Sequence, residues 1–215
     1  MTDYEFEDII ASNLDYLNNR IKFAKELAKG VIGENLLKVD LCFSALLDRS
    51  MKLSRGFSQM IKDKNLTCAG ALLRLQMDNC MRLCAIYIAE DEDAVISTII
   101  DGGKISTHKD KQGKKMSDFY LKNQLQQYDD KFSVVYDNAS GYVHFSNKAF
   151  YQSINPEEGN HISIRVGLEN EDKVNSALIE CVEAYLYFTD LFYKLINIAV
   201  DSKKRFDDKI PQEEV

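Results

Sequence analysis

The sequence predicts an all-α protein: an up-down helical bundle of about six helices carrying one small β-hairpin insertion. Three observations predict it. Only two prolines, Pro156 and Pro211, and ten glycines punctuate 215 residues. So few breakers exclude a sandwich of many short, turned strands. Apolar residues recur at three- and four-residue steps along most of the chain, which is the helical period. Period-two alternation is convincing in one place, about residues 149–167. A composition of 45% hydrophobic and 28% charged residues is ordinary for a globular chain. The length suffices for one core without disulfides or metal. The domain reading is therefore a single bundle over residues 1–205 and a loose, charged tail over 206–215.

The first helix is expected from about Asp3 to Lys29, with Ile10, Leu14, Leu17, Ile21, Ala24 and Ala28 on one stripe and Gly30 as its C-cap. A second spans about Glu34 to Lys64. Its stripe is Leu37, Leu41, Ala45, Leu46, Met51, Leu53, Phe57, Met60 and Ile61, with Gly56 a weak point and Asn65 its end. A third runs from Thr67, as N-cap, to about Glu90. It is apolar nearly all round, which makes it central. Asp91 caps a short helix through Ile100, stopped by Gly102 and Gly103.

Residues 102–115 read as an exposed basic loop of about fourteen residues. Lys104, Lys109, Lys111, Lys114 and Lys115 stand there against one acid, Asp110, and His108 reads as solvated. Ser117 caps a helix to about Gln127, and another follows from Asp130 to Phe145. Residues 149–154 and 161–166 alternate around Asn155-Pro156-Glu157-Glu158-Gly159-Asn160, a hairpin with a longer loop. The last helix, about Glu171 to Arg205, has acids in its first turn and bases in its last, matching the helix dipole.

Lys and Arg total 27 against 34 Asp and Glu, a net charge of −7. That excludes a protein that coats nucleic acid with its whole surface, though not one with a local basic patch. The five cysteines, Cys42, Cys68, Cys80, Cys84 and Cys181, lie in apolar helical stretches. They read as reduced core thiols in a cytoplasmic protein. Cys80 and Cys84 are one turn apart, but no second Cys or His pair completes a zinc site. No metal and no cofactor are expected: phosphate-loop and dinucleotide glycine motifs are missing, as is a Glu-x-x-His pair. Residues 1–8 are acidic without a signal-peptide pattern, and no run of 18 apolar residues suggests a membrane span.

Two polar constellations interrupt this pattern. Arg74, Asp78 and Arg82 are spaced four apart, so they form one stripe on an otherwise apolar helix, with Asn79 beside it. Desolvated guanidinium groups need partners, and Asp78 can answer both. The stripe is then an ion-pair ladder that fixes packing, or a site where one arginine faces a phosphate. The second constellation is Tyr136-Asp137-Asn138-Ala139-Ser140-Gly141-Tyr142-Val143-His144-Phe145-Ser146. On a helix, Asp137, Ser140, Gly141 and His144 share one side, where a carboxylate or hydroxyl orients an imidazole for proton transfer. The plainer reading is a histidine complementing a helix C-terminus.

The segment Tyr-x-x-x-Ser-x-x-Val-His-x-Ser resembles a motif of HEPN-like (higher eukaryotes and prokaryotes nucleotide-binding) bacterial helical proteins. The order of elements is similar over about residues 35–200. The resemblance implies an α-helical bundle, often a homodimer. It also implies metal-independent RNA endonuclease activity in defence or toxin–antitoxin systems, with an antitoxin-type partner. In that family an Arg four to six residues before the His steadies the phosphate while the His handles a proton of the attacking ribose 2′-hydroxyl. His144 matches the His. The Arg position falls on Asp137, Asn138 or Ala139, none of them basic, so Arg74 or Arg82 would supply the cation from the neighbouring helix. The implied catalytic set is His144, Arg74 and Arg82, supported by Asp78, Asn79, Asp137, Ser140 and Tyr142. The lysines of the basic loop are candidate RNA contacts. The alternative is a non-enzymatic helical binding or regulatory module, taking a nucleic acid, a nucleotide or another protein, in which the Arg-Asp-Arg stripe is structural.

Overall fold

A computed structural model describes residues 3–144, 147, 150, 154–156, 161–164 and 171–209. The helices are α1 (Asp3–Ile32), α2 (Lys38–Lys62), α3 (Leu66–Ile88), α4 (Glu92–Ile100), α5 (Asp118–Gln126), α6 (Lys131–Val143) and α7 (Glu171–Asp207). Between α6 and α7, β1 (Ile154–Pro156) pairs antiparallel with β2 (Ile162–Ile164), Ile154 opposite Ile164. This is the expected all-α bundle with a small hairpin, although the hairpin is shorter than the alternation suggests. Phe150, placed in the first strand by that alternation, is helical. His161, expected to start the second strand, precedes β2, and the remaining expected strand positions lie outside the described residues.

Side-chain pairs give the helix directions. Arg20 meets Asp190 and Gly30 faces Val200, so α1 and α7 run parallel. Arg49 meets Asp78 and Gly56 faces Leu72, so α2 runs against α3. Cys80 meets Phe188 and Tyr87 meets Leu195, so α7 also runs along α3. Arg74 meets Tyr136 and Gly70 faces Tyr142, so α6 returns against α3. The chain thus goes up, down, up, down and up, with α3 touching α2, α4, α5, α6 and α7. Its all-round apolar character follows from that position: Leu73, Met77, Cys80, Met81, Leu83, Ala85 and Ile86 are all buried. Each such side chain contributes roughly 1.5–3 kcal/mol by leaving water.

Several expected boundaries move, each for a local reason. α1 continues through Gly30 and stops at Gly33, whose φ of +57° is the left-handed conformation that ends a helix. α2 starts later, at Lys38, with Asp40 accepting from the Leu37 amide at 2.7 Å. Its buried face is Asp40, Cys42, Phe43, Leu47, Ser50, Ser54, Phe57 and Ile61, whereas Leu41 is 49% exposed. Hydropathy alone misplaces that face because it contains two serines. They are small enough for close approach to α7. There Tyr185 stacks on Phe57 at 3.8 Å and its hydroxyl lies 3.2 Å from Ser54 Oγ. Asn65 begins α3 rather than ending α2: its side chain accepts from the Cys68 amide at 3.0 Å, so Thr67 is not the cap. Asp91 and Ser117 cap α4 and α5 as expected. Cys42, Cys80, Cys84 and Cys181 are buried free thiols and Cys68 is exposed. Burial pushes the Cys84 thiol up to about 11 and Cys181 to about 12, which makes them poor nucleophiles.

The end of the bundle is clasped by polar groups. Lys203 and Asp40, each with a side chain only 4% exposed, form a 2.6 Å ion pair, and Lys203 also donates to the Asn35 carbonyl. Asp207, expected in the loose tail, belongs to α7. It accepts from Asn35 Nδ2 at 2.9 Å and from the Glu34 amide at 3.0 Å. These hydrogen bonds hold its carboxyl below the usual range. Residues 210–215 of that tail lie outside the described set. Lys203→Met strands Asp40 in the interior and should lower the unfolding free energy by about 3 kcal/mol or more in urea titrations. Adding Asp40→Asn should recover part of that loss.

Candidate functional site

The Arg-Asp-Arg stripe on α3 does not form one ladder. Asp78, with a side chain 15% exposed, accepts from Arg82 at 2.7 Å and from Arg49 of α2 at 3.3 Å. Arg82 also reaches Asp118 at the start of α5, at 3.3 Å. Burial opposes the charge on Arg82, but the two carboxylates outweigh it and raise the pKa of the group. Arg49 donates as well to the side-chain oxygen of Asn79, which is fully buried and donates on to Gln76 Oε1 at 3.0 Å. Arg82, Asp78 and Asn79 are thus engaged in welding α2, α3 and α5 together. Arg49 was not singled out in the sequence because it lies on a different helix, nearly thirty positions upstream.

Arg74, one turn before Asp78, turns the other way. Its guanidinium lies over the Tyr136 ring, 3.7 Å from the centroid. Its Nε donates to Ser140 Oγ at 3.3 Å, and an Nη donates to the Tyr136 hydroxyl. Among the described residues no carboxylate pairs with it. Burial pushes the Tyr136 phenol up, against the pull of Arg74. The Tyr136 ring also has Lys122 Nζ 5.7 Å from its centroid, and that ammonium is fixed by both oxygens of Asp137, at 3.0 and 3.1 Å. Asp137 is therefore committed to Lys122 and does not orient the histidine.

His144 is not inside the helix. α6 ends at Val143, and His144 is its C-cap, with an extended backbone and an exposed side chain. Its amide donates to the Ser140 carbonyl at 3.2 Å. Ser140 thus touches Arg74 through its hydroxyl and His144 through its carbonyl, bringing these two candidates to one end of the α3–α6 contact. Tyr142 has a packing role. It is half-buried against Gly70, where a Cβ would come within 2.3 Å of its ring. Arg82 lies two helical turns further along, about 12 Å from Arg74 at 1.5 Å per residue.

The basic loop is more ordered than its composition suggests. It is built on Asp110, which is buried and accepts from the Gln112 amide at 3.0 Å, the Lys114 amide at 2.8 Å and the Tyr120 hydroxyl. Ala89 and Asp110, and Lys109 and Lys115, form isolated bridges, and Ile105 plugs into the core. His108, expected in solvent, is half-buried with its Nε2 2.6 Å from Thr98 Oγ1. Lys104, Lys109, Lys111, Lys114 and Lys115 are exposed. They gather at the C-terminal end of α3, about 22 Å along the helix from Arg74, so they do not line the same site. Burial alone would raise the Asp110 carboxyl, but its donors outweigh burial and hold it below the usual range. Tyr120 is pushed up to about 12 by the same bond.

No protein-family model, curated protein or solved structure matches this chain. Among the described residues no helix is long and apolar enough to cross a membrane, and there is no group of three metal-ligating side chains.

Two stability experiments separate these roles. Asp78→Ala leaves two part-buried guanidinium groups short of a partner and should cost about 2 kcal/mol. Arg74→Met strands no carboxylate and should change stability by under about 1 kcal/mol in the same denaturant titration. Asp110→Ala should cost about 1–3 kcal/mol at pH 7. Because the folded Asp110 carboxyl is depressed, its contribution is complete above its unfolded value of about 3.9. It fades as pH falls through the folded value. The gap between wild type and Asp110→Ala should therefore narrow in melts below about pH 4.

Proposed function

We propose that the chain is a divergent HEPN-like helical protein that engages RNA through a phosphate at Arg74, with His144 as the proton-transfer group of a metal-independent endonuclease. The observation that carries this reading is Arg74. It is a half-buried guanidinium held over Tyr136 and by Ser140, without a carboxylate among the described residues, and Ser140 lies one helical turn before an exposed histidine. An oriented arginine lacking a counter-charge suits a phosphate, whose oxygens accept from its planar donors. In the proposed reaction His144 takes the proton of the ribose 2′-hydroxyl, and the 2′-oxygen attacks phosphorus. The 5′-oxygen then leaves and is protonated by water, giving a 2′,3′-cyclic phosphate end. Arg74 offsets the charge that develops on the non-bridging oxygens. A homodimer, an antitoxin-type protein partner and a cytoplasmic location belong to this reading.

A second reading, a non-enzymatic binding module, is favoured by one observation. Asp137, one of the three positions on which the resemblance lets an arginine fall, is neutralised by Lys122.

The test is incubation of the purified protein with end-labelled, unstructured RNA in EDTA. Wild type should yield cyclic-phosphate ends, His144→Ala should cleave at least about 100-fold more slowly, and Arg74→Ala should raise KM. Binding without cleavage would support the module. Neither binding nor cleavage across varied RNAs would overturn both RNA readings.

A further inference from the structure

Phe119 stands on the first turn of α5 with 70% of its surface exposed. It is not an isolated apolar side chain. Lys122 Nζ, one turn later, lies 5.5 Å from the Phe119 centroid and 5.7 Å from the Tyr136 centroid, and Arg74 lies over Tyr136. Aromatic rings and cations therefore alternate in the order Phe119, Lys122, Tyr136, Arg74, and end at Ser140 and His144. Lys122 has a side chain only 11% exposed and is held by Asp137, so the spacing between the rings is fixed by packing.

The charges along this strip are unequal. At the Phe119 end, Lys122 is neutralised by Asp137, and the exposed Asp118 adds a carboxylate already shared with Arg82. At the Arg74 end a guanidinium has no carboxylate among the described residues. A phosphate is repelled from the first end and attracted to the second. What suits Phe119 is an uncharged flat surface covalently linked to a phosphate, which describes a nucleobase next to the phosphate held at Arg74.

We propose that Phe119 is a stacking platform for an unpaired base, making single-stranded RNA the substrate class of the site. This rests on the reading of Arg74 as a phosphate anchor. A duplex buries its base faces and cannot offer one to Phe119, whereas a single strand can lay one base on the ring while its backbone runs to Arg74. Stacking on an aromatic side chain tolerates any base, so the expected selectivity is for strandedness more than sequence.

The experiment is fluorescence anisotropy of the full chain with an unstructured 2′-O-methyl octaribonucleotide, which cannot be cleaved through the 2′-oxygen, and with the same strand annealed to its complement. A 2-aminopurine version of the single strand reports stacking directly. Wild type should bind the single strand at least about tenfold more tightly than the duplex and quench the 2-aminopurine. Phe119→Ala should weaken binding about tenfold and lose the quench, within the range for one stacked base, and Phe119→Trp should restore both. Phe119→Ala binding as wild type does, while Arg74→Ala abolishes binding, would overturn the platform and leave the phosphate anchor standing. Equal affinity for single strand and duplex would also overturn it. Loss of binding in neither variant, or no binding by wild type, would overturn the anchor and the platform together. Phe119 would then be read as part of a protein-docking surface.

Discussion

Asp78 sits on a helix surrounded by others, and its carboxylate answers two arginines from different places: Arg82 one turn along α3 and Arg49 across on α2. A carboxylate so placed cannot be left unpaired, nor can the guanidinium groups beside it. The charge arithmetic of the bundle centre follows. With Asp78 divided between Arg49 and Arg82, and Asp118 completing Arg82, Arg74 is met among the described residues by the Tyr136 ring and two hydroxyl groups and by no carboxylate. The proposed role of Arg74 as an anion anchor therefore depends on how α2 and α5 are fastened to α3.

The same economy of polar groups appears at the other end of the bundle. α7 is long because both its faces are used, one against α1 and one against α3. Its last turns are tied down by Lys203 and Asp207 gripping the connector between α1 and α2. Asp110 does comparable work in the basic loop, where one buried acid organises a segment whose lysines all face outward. In each case a single side chain accepts or donates several bonds and replaces the apolar burial that a short connector lacks.

Much of the fold was legible along the chain. The centrality of α3 follows from its all-round apolar pattern, and the starts of α4 and α5 from Asp91 and Ser117. The hairpin follows from the one alternating stretch, though its length does not, since Phe150 is helical. The face of α2 was misread because Ser50 and Ser54 are buried there, and a scale that counts serine as polar places such a face outside. The candidate site was half legible. Arg74, Ser140 and His144 were visible as unusual residues; Arg74 and Ser140 meet, and His144 follows Ser140 by one turn. Arg49 and Lys122 were not visible, since their partners Asp78 and Asp137 are remote in sequence. Gln76 and Phe119 have partners three residues away, but they acquire a role only through Arg49 and Tyr136 brought by other helices.

Sequence by itself determined that this is a proline-poor bundle of long helices with one buried at the centre. Helical periodicity and capping are local properties, set within a turn or two of each residue. Only the tertiary structure decided which arginine is spent on packing and which is left facing Tyr136. An arginine at i and an aspartate at i+4 are within reach whenever the helix forms, but whether they pair depends on what the adjoining helices bring. Arg49 arriving from α2 drew Asp78 one way, and Tyr136 and Ser140 arriving from α6 drew Arg74 the other.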